Sequence, residues 1–190
     1  MGLTICYRGT LRNPNDFKSM VEDVNDICLE IGWWHMPIHR SNIMPMQGVL
    51  IMPTDGDPIW LTFLLNGMLY NPEHFIYTLH AEKECIDEKK HQWIFTNTQH
   101  AGMDTHMAII KFFRYLKMKY FDQFDLRDES QYWETDNELV CLIRFDEHKD
   151  DPDQYSGMIS EDIRMYNLES AAELMDQLLL KRGGLGMSWN

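Results

Sequence analysis

The chain has 190 residues, enough for one well-filled domain or at most two small ones, and its 44% hydrophobic and 12% aromatic content excludes wholesale disorder. Seventeen Lys and Arg stand against 30 Asp and Glu, a formal net charge of −13. That balance argues against general nucleic-acid binding and against docking on an anionic membrane, both of which need cationic surface; a basic protein, a metal ion or a cationic ligand stays allowed.

Leu3 to Tyr7 is short and partly β-branched, as a first strand would be. Asn13-Pro14 then supplies a helix start, with Asn as the cap and Pro at the first helical position, where its missing N–H costs nothing. Phe17, Met20, Val21, Val24, Ile27, Cys28 and Ile31 recur at steps of three and four, the apolar seam of an amphipathic helix that Gly32 stops.

Short β-rich runs follow at Trp33–His39, Gly48–Pro53, Ile59–Leu65, His74–His80 and His91–Thr98. The separators Thr54 to Pro58 and Asn66-Gly67 have hairpin chemistry, so consecutive runs should pair antiparallel. Ala81 to Lys90 reads as a solvated connector or a short exposed helix. A second helix carries Ile109, Phe112, Phe113, Leu116 and Tyr120 on its seam, with Lys111, Arg114, Lys117 and Lys119 on other faces and Asp104 or Thr105 as its cap.

Phe124 to Asp128 returns as a strand. Asn137 to Phe145 fits a helix through Leu139, Leu142 and Ile143, and equally a strand through its Leu-Val-Cys-Leu-Ile run. Asp150 to Asp153 is a loop. The last helix is expected to be capped by Asn167 and to carry Leu168, Ala171, Ala172, Met175, Leu178 and Leu179, with Lys181-Arg182 suiting its C-terminal dipole and Gly183-Gly184 stopping it. The expectation is an α+β fold: a mainly antiparallel sheet of about six strands against two to four helices, as one domain over residues 1–184 with a loose tail at 185–190.

Compartment follows from what is missing. Met1 to Thr10 has no basic n-region and does not read as a signal peptide. No apolar run reaches the roughly 18–20 residues of a membrane helix; the strongest, Ile59 to Tyr70, is interrupted by Asn66-Gly67. Cys6, Cys28, Cys85 and Cys141 form no CxxC pair and read as small buried hydrophobes in a reducing compartment, which points to the cytosol. The 14 methionines are dispersed and read as adaptable core filler.

Two stretches carry candidate chemistry. Thr96 to His106 is a polar loop between a strand end and a helix N-terminus, a natural binding position. Within it His100, Asp104 and His106 are of the right types for a divalent metal, His106 could serve as acid or base, and Gln99 could bind a ligand. The spacing matches no zinc signature, and in one helical turn Asp104 and His106 point about 200° apart. The alternative is a helix cap with surface histidines. In the second stretch, Asp125 to Thr135, the carboxylates Asp128, Glu129 and Glu134 lie among Tyr132 and Trp133, as an acid/base pair beside a stacking platform would. A solvated edge with Trp133 covering the core is the competing reading.

His80, Cys85 and His91 lack a fourth ligand for structural zinc, and His35 and His39 lie in a Pro-broken strand. No GxSxG, Gly-rich phosphate loop or dinucleotide fingerprint is present, so no nucleotide cofactor is expected. The phrases Phe95–Gly102 and Asp128–Thr135, with Gly2-Leu3-Thr4 and Tyr7-Arg8-Gly9, resemble a group of uncharacterised bacterial proteins. That resemblance covers about a quarter of the chain, implies a bacterial cytosolic origin and transfers no activity to any residue.

Two functions from different classes survive. One is a non-enzymatic binding protein whose acidic face meets a basic partner; the other is a metal-assisted hydrolase or small-ligand enzyme built from the two polar stretches, with oligomeric state open in both. The charge has a location: Asp122 to Asp153 holds twelve acids against Arg127, Arg144 and Lys149, a net of −9, while the rest of the chain carries −4.

Overall fold

The computed structural model describes residues 3–41, 44–74, 93–148 and 170–183. Strand β1 (Thr4–Leu11) leads into a short 3-10 turn at Pro14–Asp16, where the Asn13 side chain accepts the Asn15 N–H. Helix α1 (Phe17–Ile31) buries Met20, Val24, Ile27 and Cys28 and ends on Gly32, whose φ of 77° is the left-handed cap that Gly adopts without a Cβ penalty. Strands β2 (Trp34–Ile38), β3 (Gln47–Met52) and β4 (Ile59–Phe63) follow as an antiparallel meander, with Pro37 tolerated because β2 is an edge.

After β5 (Ile94–Asn97), helix α2 (Gly102–Tyr120) crosses to β6 (Phe121–Asp128). Strand β1 lies between β5 and β6, antiparallel to both. Then come α3 (Tyr132–Thr135), α4 (Glu138–Glu147) and α5 (Ala171–Lys181). The ambiguous run at 137–145 is thus a helix: Asn137 accepts from the N–H groups of Leu139 and Val140, and Cys141 and Phe145, four apart, are buried.

The fold is α+β, but the expected six-strand sheet is two three-stranded sheets, β5-β1-β6 and β2-β3-β4. The reason lies in β1. Its first half pairs with β5, while its second half meets the segment after β4 only through an isolated bridge, Thr10 to Met68, and that segment bridges back to β4 at Phe63 and Leu69. At Trp60 the free edge of β4 is closed by a side chain: the Tyr7 hydroxyl accepts the Trp60 N–H at 3.0 Å and donates to its carbonyl at 3.1 Å. The helices also exceed the expected range, with five α-helices among the described residues.

One cluster of buried residues runs through both sheets and the helices, from Leu3 to Leu179. Helix α2 sits centrally in it. Arg114, expected off the apolar seam, is buried with the seam residues, because α3, α4 and α5 all pack against α2. Asp104 does not cap α2. Its carboxylate accepts the N–H groups of Ala171 at 2.6 Å and Ala172 at 3.2 Å and so caps α5 across the fold, together with Ser170, which accepts from Glu173. The expected strand at His74–His80 lies outside the described residues apart from His74, which is in a helical turn. The connector at 81–90, the loop at 150–153, the Asn167 cap, the 185–190 tail and the trio His80, Cys85 and His91 also fall outside them.

Candidate functional site

The crossover β5–α2–β6 sets the ends of two strands beside the first turns of α2, and that juxtaposition brings part of each polar stretch together. His106 Nδ1 lies 2.6 Å from Thr98 Oγ1, at the end of β5. Its Nε2 lies 2.8 Å from Ser130 Oγ and 3.1 Å from Asp128 Oδ1, at the end of β6. The carboxylate of Asp128 also accepts from the Ser130 N–H, the Ser130 hydroxyl and the Trp133 N–H, at 2.8, 2.8 and 2.9 Å.

Ser130 donates its hydroxyl proton to Asp128, and an unprotonated Nε2 would aim a lone pair at a carboxylate oxygen 3.1 Å away, so Nε2 carries a proton and donates to Asp128. On the other side of the ring Nδ1 and the Thr98 hydroxyl share a hydrogen bond, and the Leu3 carbonyl takes the Thr98 N–H. Burial pushes the Asp128 carboxyl up, but the hydrogen bond and charge of His106, with the Trp133 and Ser130 donors, hold it below its ordinary value.

This cluster has the residue types of an acid/base site without the access. The side chains of His106 and Asp128 have 0% exposure, and Ser130 is equally enclosed. Phe145 from α4 packs edge-on against the imidazole with ring centroids 5.3 Å apart. Burial pushes the neighbouring Cys141 thiol up to about 11, with its contact to Ser130 as a partial offset, so it is no nucleophile at neutral pH. What the geometry does is tie β5, α2, β6 and α3 together.

The other candidates are dispersed. His100 is exposed at the loop tip, and Asp104 faces α5 while His106 faces β6, as expected from their 200° separation on a helix. No group of three His, Cys, Asp or Glu able to hold a metal ion exists among the described residues. Glu129 accepts the Thr4 N–H at 2.8 Å, and Gln99 donates to the His148 carbonyl at 2.8 Å. Glu134 is exposed, its carboxyl raised by partial burial and by the charge of Asp128. Tyr132 is buried under the Arg114 guanidinium, 5.2 Å from its ring centroid, and offers no stacking surface; half-buried Trp133 is covered by Lys117 at 5.0 Å.

Sequence reasoning missed a second polar arrangement. Arg114 is buried on α2 and donates to Asp136 and to the Tyr132 and Trp133 carbonyls at 2.8 and 3.2 Å, satisfying the end of α3. One turn earlier, Lys111 reaches Asp176 of α5 at 2.5 Å. Between these pairs opens a cavity of ≈ 400 Å³. The only signal in the sequence was a pair of cations three apart on a helix that is otherwise largely apolar.

No protein-family model, curated protein or solved structure matches this chain. No helix among the described residues is long and apolar enough to cross a membrane.

Proposed function

We propose that this protein is a non-enzymatic interaction protein that presents an acidic face to a basic partner. One observation carries the reading: α4 exposes Leu139, Leu142 and Ile143 on a surface dominated by carboxylates. Around them Glu134, Asp136, Glu138, Asp146 and Glu147 are all exposed, whereas on β6 Asp125 is paired with Arg8 and exposed Arg127 follows it. Arg144 pairs with Glu147 at 2.9 Å and offsets that one carboxylate, which leaves the others in excess. Apolar side chains among charges mainly of one sign are what a complementary charged partner selects, through steering and exclusion of like-charged competitors.

The enclosed and internally satisfied His106–Asp128 cluster also supports binding over catalysis, because substrate has no path to it. A reducing, cytosolic setting is part of the same proposal, supported by buried unpaired Cys28 and Cys141. The test is affinity capture from native lysate with the tagged full chain, washed at increasing salt. The reading expects one stoichiometric basic protein that salt releases. Failure to retain any such protein, or retention that salt does not weaken, contradicts it.

A further inference from the structure

Helix α4 carries two apolar stripes. Cys141 and Phe145 face the core, whereas Leu139, Leu142 and Ile143, at steps of three and four, are 63%, 42% and 49% exposed. A helix that is apolar on both sides is normally buried on both sides. The exposed stripe begins one residue after Glu138, and Glu138 lines the cavity between α2, the α3–α4 junction and α5. The stripe and the cavity thus meet at the start of α4.

The cavity's charged groups are unequally paired. Lys111 is already committed to Asp176 and the Ala172 carbonyl, and Arg114 to Asp136 and two carbonyls. Asp136 and Asp176 each engage through one oxygen only, and both are half exposed. Among the described residues Glu138 has no hydrogen-bond donor or ion-pair partner. The open lone pairs of these carboxylates are what a further cationic donor would meet in the cavity. Three carboxylates against two cations give the lining the sign to match. Exposed Leu180 supplies an apolar wall for an aliphatic stem.

Resting on the reading above, we infer that α4 and this cavity form one docking surface for a basic amphipathic segment of a partner protein. Its apolar residues lie on Leu139, Leu142 and Ile143, and one Lys or Arg side chain enters the cavity to meet Glu138, Asp136 and Asp176. A second copy of this chain is the poorer occupant, because it would bring the same carboxylates against these.

The experiment uses the full chain and a labelled amphipathic Leu/Lys helical peptide as probe, with a Leu/Glu counterpart as control, read by fluorescence anisotropy at low salt. Leu142 and Glu138 are exposed, so variants there keep the fold, which a thermal melt verifies. Leu142→Glu should weaken Leu/Lys binding about tenfold, as loss of a central apolar anchor does. Glu138→Lys should weaken it about fivefold, while Asp122→Lys, on β6, should change it less than about twofold. Equal losses from both charge reversals with none from Leu142→Glu overturn the docking surface but leave the broader acidic-face reading standing. Absence of Leu/Lys binding overturns the docking surface as well, and the lysate capture then decides the broader reading alone. Self-association of the wild type that Leu142→Glu abolishes overturns it in favour of a second copy.

Discussion

Removing the carboxylate of Asp128 should be among the most damaging single changes the chain can suffer. Four donors converge on it: the Ser130 and Trp133 N–H groups, the Ser130 hydroxyl and His106 Nε2. In Asp128→Ala these donors lose their acceptor in a site with no exposure, at about 1–3 kcal/mol for each unsatisfied group. The site relaxes as a unit, so the terms do not simply add and the loss should be about 3–5 kcal/mol. Asp128→Asn keeps one acceptor oxygen, enough for either the Ser130 N–H on Oδ1 or the Trp133 N–H on Oδ2, and should lose about half as much. Urea unfolding followed by tryptophan fluorescence measures both variants, with the midpoint falling at constant slope. The sign with pH is fixed by the direction of the shift. The Asp128 carboxyl sits below its ordinary value in the fold, so its stabilisation is present above the unfolded value of about 4 and is lost as pH falls through the lower folded value. The gap between wild type and Asp128→Asn should therefore hold near neutral pH and shrink in acid. A loss under about 1 kcal/mol for Asp128→Ala would refute its role as the shared buried acceptor.

Three further outcomes follow from the packing. Asp104→Ala should cost about 0.5–2 kcal/mol and raise amide exchange at Ala171 and Ala172, because the capped helix is α5 and not α2. Gly48→Ala should lower the melting temperature by several degrees, since a Cβ there would stand 1.9 Å from the Leu61 carbonyl oxygen and force β3 from β4. Cys28 and Cys141, pushed by burial up to about 12 and about 11, should resist thiol reagents at neutral pH until the chain is unfolded, as mass mapping of the labelled positions would show.

What the sequence disclosed was what depends on local periodicity. Asn13, Pro14 and Gly32 bracket α1 because cap and stop chemistry act within a turn. The hairpin turn at Asn66-Gly67 is legible for the same reason, with Gly67 at a φ of 82°. Partner choice at long range was not legible. One phenol, Tyr7, closes the edge of β4 across 53 residues and splits the expected sheet in two, and no spacing rule announces it. Asp104 looked like the cap of its own helix and serves one 67 residues away. His106 and Asp128 stood in separate candidate stretches, and only the crossover of α2 makes them a pair. Arg114 shows the same limit in reverse: its position read as a solvated face until α3 and α4 folded over it.

The most direct test of the account is to map where a basic probe touches the protein. Amide chemical shifts of the full chain should be followed while the Leu/Lys peptide is titrated in. The account predicts that changes concentrate at Asp136 to Glu147 and around Leu180, and fade as salt is raised. Changes centred on the His100 loop, or on the open faces of the sheets, would contradict it.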